Sequence, residues 1–483
     1  MAEPQLVEIS PLTRVEGHGK VTIHLDAEGQ VVEARLHIVE FRGFERFIQG
    51  RLLWEVPVIV QRLCGICPVS HHLAAAKAMD AIVGVDTLPP TAEKMRRLMH
   101  YGQVMQSHVL HFFHLAAPDL LFGFGAPAEK RNIFELLKEE PEIGRRAIRL
   151  RKFGQDIIEA TAGKKIHGTG AIPGGINRNL PIGTRDALLA EIDDMETWAA
   201  DALALARRYT LEHAGCVASF AAFNSHYLSL VREGDGALDL YDGNFRARAS
   251  DGGLLFDQFD GNRYHELLIE DVRSWSYMKF PYLRSLGAEN GWYRVGPLAR
   301  MNTVDFIDTP LAEAARRELR ETTHGAPQHA ILANHWARMI EVLHCIERIR
   351  ELLHDPDLQG IDLKAAGSRR QTGIGVIEAP RGNLIHHYEI DENDQVTYCN
   401  LIVSTTHNNE GLNRAVTDVA VKHLSGQPEI TEGMLNHVEV AVRAYDPCLS
   451  CATHALGQMP LRVELYDVAG ALVDARSREA PCS

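Results

Sequence analysis

Two short segments at opposite ends of the chain carry its most chemically loaded residues. The first is Arg62-Leu63-Cys64-Gly65-Ile66-Cys67-Pro68-Val69-Ser70-His71-His72, and the second is Asp446-Pro447-Cys448-Leu449-Ser450-Cys451-Ala452-Thr453-His454. Each contains a Cys-x-x-Cys pair. Two intervening residues let both sulfurs turn towards one point, and the Gly and Pro positions permit the tight backbone path this needs. Thiolates are soft ligands that suit zinc, iron–sulfur clusters and other soft or borderline metals. A zinc site usually joins pairs close in sequence, whereas these pairs must meet by long-range folding. The residues by themselves leave zinc, an iron–sulfur cluster, another metal and a set of redox dithiols open. The chain has eight cysteines, and the other four, Cys216, Cys345, Cys399 and Cys482, are isolated. The first three read as small buried hydrophobes and Cys482 as exposed near the terminus.

The elements that must bring the pairs together can be read from hydrophobic periodicity. Val21, Ile23 and Leu25, then Val32, Ala34, Leu36 and Ile38, alternate with polar residues around Asp26–Gly29, which predicts a β-hairpin. From about Trp54 the pattern turns helical. His71–Val83, Ala92–Leu115, Arg145–Thr161, Arg185–Ala214 and Ala326–His354 carry apolar residues at three- and four-residue spacings. Pro11, Pro89-Pro90 and Pro118 punctuate these elements. Residues 163–183 read as an ordered loop, and 234–300 as short strands with aromatic-rich turns. Ile374–Ala379 and His387–Asp391 alternate again before the apolar run Leu401–Val403. Leu412–Leu424 and Asn436–Ala444 return to helix, and Arg462–Asp474 alternates like a strand pair around Ala469-Gly470. No repeat, low-complexity block or linker divides the chain. The expectation is an α+β, mainly α-helical protein: a β-rich 1–50 and a helical body over 51–454.

Composition excludes several function classes. The chain has 483 residues, enough for a sizeable core. Its 45% hydrophobic and 24% charged content is that of an ordinary globular protein. A net charge of −14 argues against nucleic-acid or anionic-membrane binding. No run approaches the roughly 18 apolar residues of a membrane span. The start, Met1 to Thr22, has neither the basic residues nor the apolar stretch of a secretory signal, so a cytoplasmic protein is expected.

Arg-x-Cys-Gly-x-Cys-Pro-x-x-His near one end, with Asp-Pro-Cys-x-x-Cys-x-x-His near the other, resembles the paired signature of nickel–iron hydrogenase large subunits. The likeness runs over essentially the whole chain. It includes Thr13-Arg14-Val15-Glu16-Gly17-His18, Arg42-Gly43-Phe44-Glu45 and Glu378-Ala379-Pro380-Arg381-Gly382. Asp446–Leu461 and Trp275–Leu283 look most like the soluble, NAD-reducing subgroup. The resemblance implies a fold shared with the quinone-site subunit of respiratory complex I, and reversible heterolytic oxidation of H2 to protons and electrons. It implies Cys64 and Cys448 as terminal nickel ligands. Cys67 and Cys451 would bridge nickel to an iron carrying two cyanides and one carbon monoxide.

The same resemblance assigns a polar shell. Glu16 would relay the proton beside Cys448. Arg381 would cover the open coordination side, oriented by Asp119 and Asp446. Thr405 would offer a hydroxyl to the second cyanide, with Ser404 as the neighbouring alternative. His71 would stand near the bridging thiolate, four residues after Cys67 and so on the same helical face. By residue type alone these positions have plainer readings: a surface glutamate, a salt bridge, a turn or N-cap aspartate, a strand-end threonine and a satisfied histidine. Glu45, His454 and a backbone carbonyl at about Leu401 imply a second ion, magnesium or iron.

The resemblance also implies that a maturation endopeptidase cuts after His454 and removes 455–483. The competing reading is a C-terminal hairpin that completes the fold. Electrons must leave the centre, and the chain has no spare cysteine set for a relay. An iron–sulfur small subunit is therefore expected, together with flavin- and NAD-binding diaphorase subunits. Gly373-x-Gly375 lacks the third glycine and acidic partner of a dinucleotide site, so NAD is expected to bind elsewhere. NADP, a deazaflavin or ferredoxin are the alternative acceptors. The non-hydrogenase readings are a zinc-stabilised scaffold and a complex I-type structural subunit. The complex I relative lacks the four cysteines.

Overall fold

The computed structural model describes residues 5–453, 461–466 and 471–478. The N-terminal alternation forms a three-stranded antiparallel sheet of β1 (Gln5–Ile9), β2 (Gly19–Leu25) and β3 (Val31–Ile38). Val7 pairs with Ile23 and Ile23 with Ala34, so the inward side chains Val21, Ile23, Leu36 and Ile38 are buried on one face. The predicted hairpin at Asp26–Gly29 is the β2–β3 turn, where Asp26 accepts from the amides of Glu28 and Gln30.

A body of long helices follows: α1 (Pro68–Ile82), α2 (Pro90–Leu110), α3 (Pro141–Ala162), α4 (Ile192–Glu212), α5 (Pro297–Thr303, a short one), α6 (Asn334–His354), α7 (Asn409–Leu424) and α8 (Glu432–Tyr445). Helix α1 is buried along nearly its whole length, the polar Ser70, His71, His72 and Asp80 included. Proline at the first turn of α1, α2, α3 and α5 sets the starting φ and removes a donor that would be orphaned there anyway.

Three helical expectations needed correction. Ala92–Leu115 is α2 running into a π-helical stretch, His111–Ala116. Arg185–Ala214 is two helices, Ile182–Leu189 and α4. Ala326–His354 becomes α-helical only at Asn334, after a short 3-10 turn at Ile331–Ala333. In each case the apolar spacing continues through a change of helical pitch or axis.

The segment that matters most for the site is a second antiparallel sheet, β4 (Thr372–Ala379), β5 (Gly382–Ile390) and β6 (Val396–Ile402). Ala379 pairs with Gly382, so Pro380 and Arg381 are the two residues of the hairpin turn. Strand β4 packs directly on α1. A Cβ at Gly373 would lie 2.0 Å from the Ala78 carbonyl oxygen, and one at Gly375 2.0 Å from that of Ala74. The glycines therefore serve close helix–strand approach, which accounts for the pair that falls short of a dinucleotide fingerprint. This contact fixes the hairpin bearing Arg381 relative to the helix that begins after Cys67. At the C-terminus, Leu461–Tyr466 and Leu472–Arg478 pair with each other as an antiparallel hairpin, in the region where alternation predicted one.

Candidate metal centre

Each cysteine is delivered by the end of an element. Cys64 follows the 3-10 turn Val60–Leu63 in extended conformation, and Cys67 precedes Pro68 at the start of α1. The amides of Ile66 and Cys67 both donate to the Cys64 Sγ at 3.2 Å, so the backbone loop favours a thiolate there. On the other side, α8 ends at Asp446 in left-handed conformation, φ 57° and ψ 55°, which aspartate tolerates better than most residues. That turn directs Pro447 and Cys448 back into the core. The N-terminal segment pins them: Glu16 and Cys448 form a parallel bridge, and the Leu449 amide donates to the Glu16 carbonyl oxygen at 2.9 Å.

The result is a cluster of four buried sulfurs whose ligand atoms all lie within 4.8 Å of one another. Cys64 Sγ is 3.2 Å from Cys448 Sγ, and Cys67 Sγ is 3.8 Å from Cys451 Sγ. Burial would raise the Cys64 thiol, but hydrogen bonds from the other three thiols and the nearby Arg381 guanidinium hold it well below its usual range. Burial pushes Cys448 and Cys451 well up. Four mutually close thiols shielded from water are the chemistry of a thiolate metal site, whose protons leave as the metal binds. Beside the sulfurs is a small cavity that no side chain fills, lined among others by Cys67, His71, Arg381, Leu384, Val403 and Thr405. Thiolate donors on one wall, with a cation and a hydroxyl on another, fit a metal centre that carries small polar ligands.

The predicted polar residues converge here, with one correction. Glu16 Oε2 lies 3.1 Å from Cys448 Sγ and accepts the Ser450 amide at 3.1 Å, while the Ser450 hydroxyl donates to Oε1. Burial, then the negative Cys64, raises the Glu16 carboxyl above its ordinary range. Arg381 is buried and donates from Nε to the Asp446 carbonyl oxygen at 2.6 Å and from Nη2 to Asp446 Oδ1 at 2.9 Å. Asp119 makes no hydrogen bond to Arg381. Its carboxylate accepts from Arg14 at 2.5 Å, Arg443 at 2.7 Å and Asn436 at 3.1 Å. It thus braces the segment leading to Glu16 against α8, and the third contact of Arg381 is Ser107 at 3.3 Å.

Thr405 Oγ1 accepts the Cys448 amide at 2.9 Å, which leaves its own hydrogen to donate. Ser404 already donates its hydrogen to the Gly382 carbonyl oxygen at 2.7 Å, so of the two neighbours Thr405 is the one able to serve the cavity. His71 Nδ1 is 3.1 Å from His386 Nε2, and burial lowers the His71 pKa to about 4. The histidine is therefore neutral.

The second-ion residues are only partly described. Glu45 is buried on the turn after Gly43 and accepts the Leu401 amide at 3.0 Å. Burial raises its carboxyl to about 7, opposed by Lys279. His454 and Cys482 lie outside the described residues. The Arg42 amide donates to the Thr453 carbonyl oxygen at 3.2 Å, so the chain just before His454 runs beside the Glu45 segment. Sequence reasoning missed Ser107, Ser450 and Arg443. Ser450 could have been found, since it stands inside the second cysteine pair, whereas Ser107 and Arg443 sit on long helices with nothing local to mark them.

Comparison with known proteins agrees with this geometry. The profile for nickel-dependent hydrogenase matches residues 42–122 and 250–454, and a HoxL-like profile matches 6–41. The chain is 48% identical over 484 residues to the NAD-reducing hydrogenase HoxS subunit beta of Cupriavidus necator, covering 97% of this chain and 99% of that one. It is 42% identical to a subunit of the F420-non-reducing hydrogenase of Methanothermobacter thermautotrophicus, covering 96% and 98%. Among solved structures, an NAD+-reducing [NiFe]-hydrogenase in the H2-reduced state is similar at 60% identity and a TM-score of 0.92, covering 93% and 99%. A Ni-Fe-Se hydrogenase from D. vulgaris Hildenborough shares the fold at 22% identity and a TM-score of 0.75, covering 93% and 100%.

Proposed function

This chain belongs to the nickel-dependent hydrogenase family, and from that premise we propose that it splits dihydrogen reversibly into protons and electrons within a complex that reduces NAD. The observation that carries the reading is the meeting of Cys64, Cys67, Cys448 and Cys451 in one buried cluster. Cys64 and Cys448 would hold nickel, and Cys67 and Cys451 would bridge it to an iron bearing two cyanides and one carbon monoxide. Bound there, the metals would supply the Lewis acidity that makes dihydrogen a proton donor.

The chain's own residues do the rest. Glu16 takes a proton at Oε2, the oxygen that faces Cys448, and its raised pKa suits it to hold that proton before passing it on. Arg381 points a fixed fork of donors at the cavity with Asp446 setting its angle. Thr405 supplies a hydroxyl on the Cys448 side. Leu384 and Val403 exclude water from the same space. His71, neutral, adds no positive charge of its own beside the sulfurs.

Metal analysis of the purified complex tests the reading, with infrared bands of metal-bound cyanide and carbon monoxide as the sharper signature. Nickel with iron and those bands is the expected result. Zinc alone, or full turnover in Cys64→Ser, overturns it.

Three finer assignments belong to the same proposal. Glu45, a carbonyl near Leu401 and His454 would hold a magnesium or iron ion, and the Arg42–Thr453 contact supports that grouping. Residues 455–483 would be removed by a maturation endopeptidase, and the intact mass of active protein tests that directly. Electrons would pass through an iron–sulfur small subunit to flavin- and NAD-binding subunits, in the cytoplasm. No helix among the described residues is long and apolar enough to cross a membrane. The stronger likeness to NAD-named relatives favours NAD. Reduction of NADP, a deazaflavin or ferredoxin in its place by the purified complex would redirect that assignment.

A further inference from the structure

Arg300, on α5, has no solvent exposure and touches none of the four cysteines, yet its five N–H groups meet five acceptors. Nε and Nη2 donate to the two carboxylate oxygens of Glu341, each at 2.6 Å. Nη1 donates to Glu378 Oε2 at 2.6 Å and to the Ala379 carbonyl oxygen at 3.1 Å. The second hydrogen of Nη2 reaches the Pro380 carbonyl oxygen, also at 3.1 Å. Ala379 and Pro380 are the two residues immediately before Arg381 in the hairpin turn. The carboxylates are themselves fixed: Glu341 accepts from His108 at 2.8 Å, and Glu378 accepts the Leu230 amide at 2.7 Å and the Asn383 amide group at 2.5 Å. One turn ahead of Arg300, at the N-terminus of α5, Gly296 sits at φ 98°, where an added Cβ would lie 2.8 Å from the Arg381 carbonyl oxygen.

We infer that Arg300 is a positioning residue for Arg381: the Glu341–Arg300–Glu378 clamp grips the backbone of the turn so that the Arg381 guanidinium is held at one depth over the metal cavity. A buried ion cluster contributes little net stability, because desolvating three charges offsets most of their attraction and apolar packing would serve as well. Directing two of five donors to the carbonyls of one turn is what a guanidinium does better than an apolar side chain. Asp446 fixes the far end of Arg381, and Arg300 with Gly296 fixes the near end. The inference rests on the reading of Arg381 given above.

The test is a double-mutant cycle in the whole nickel-loaded complex, with Arg300→Lys, Arg381→Lys and both together. Lysine keeps the charge, but its three N–H groups cannot serve two carboxylates and two carbonyls at once. Arg300→Lys is expected to lower hydrogen oxidation at saturating H2 about tenfold or more with nickel content unchanged. The bands of metal-bound cyanide should shift in the sense seen for Arg381→Lys, and the double variant should be no slower than Arg381→Lys alone. If Arg300→Lys fails to fold, Gly296→Ala presses on the Arg381 carbonyl of the same turn while keeping the Arg300, Glu341 and Glu378 side chains, and enters the same cycle. Full rate with unshifted bands, or defects that multiply in the double variant, overturns the inference. Full rate in Arg381→Lys overturns instead the reading of Arg381 on which it rests.

Discussion

Glu16 reaches Cys448 because the two strands of chain are hydrogen-bonded to each other, from the Leu449 amide to the Glu16 carbonyl. Its carboxylate is then anchored by the Ser450 amide and hydroxyl. Glu16→Gln keeps the shape and can still accept from the amide, but it cannot take a proton. Loss of a positioned acid–base group costs about 10²-fold or more, so hydrogen oxidation should fall by that amount while nickel and iron content hold. Undiminished turnover would move the proton acceptor elsewhere. Which residue types mattered was legible, because the motif around each of them is short and local. Which partner each one uses was not. Asp119 was expected beside Arg381, yet its carboxylate pairs with Arg14 and Arg443, partners that only the packing of α8 against the N-terminal segment reveals. The choice between Ser404 and Thr405 likewise needed the position of the Gly382 carbonyl, which absorbs the serine hydroxyl.

At the scale of elements, the site depends on how closely α1 approaches β4. Gly375→Ala would drive a methyl group to 2.0 Å from the Ala74 carbonyl oxygen. Neither element can yield easily, since both are buried. Overpacking of this kind costs about 1–3 kcal/mol, so the denaturation midpoint of the complex should drop. The displaced helix carries Cys67 at its start, so nickel content should fall with it. A variant of unchanged midpoint and full nickel would show that the contact is slack. Periodicity found most of the elements, among them the N-terminal hairpin, α1 and the strands on either side of Arg381. It ran helices together where a π-helical stretch follows α2 and where Ile182–Leu189 meets α4. An inserted residue or a change of axis leaves the apolar count nearly intact. The glycine pair in β4 was visible as a pair, but its purpose depends on a neighbour far away in sequence.

The whole molecule is closed around the centre by contacts between its two ends, and that closure buries charge-capable groups throughout. The requirement that the two cysteine pairs meet was legible from their chemistry. The route was not, because the bridge from Glu16 to Cys448 and the turn at Asp446 are properties of the assembled fold. One consequence is a set of histidines enclosed in neutral form. Burial lowers His72, His100, His108 and His344 to about 4 and His407 to about 3, against an ordinary value of 6.5. His108 donates to Glu341 and still stays neutral, because desolvation outweighs that partner. For each, the unfolded chain binds a proton more readily than the folded one. Their contribution is therefore fully present above about pH 6.5 and is lost as pH falls towards 4. Glu378 and Glu45 act in the opposite sense. Their carboxyls are raised to about 7, so the folded form holds those protons between 4.5 and 7 and loses stability as pH rises through that range. Burial lowers more histidines than it raises carboxyls, so between pH 6.5 and 5 the net slope favours unfolding as acid is added. The denaturation midpoint of the purified protein should fall steadily across that window and level off above it. A midpoint that held constant or rose on acidification would mean that water reaches these imidazoles and that the interior is wetter than its packing implies.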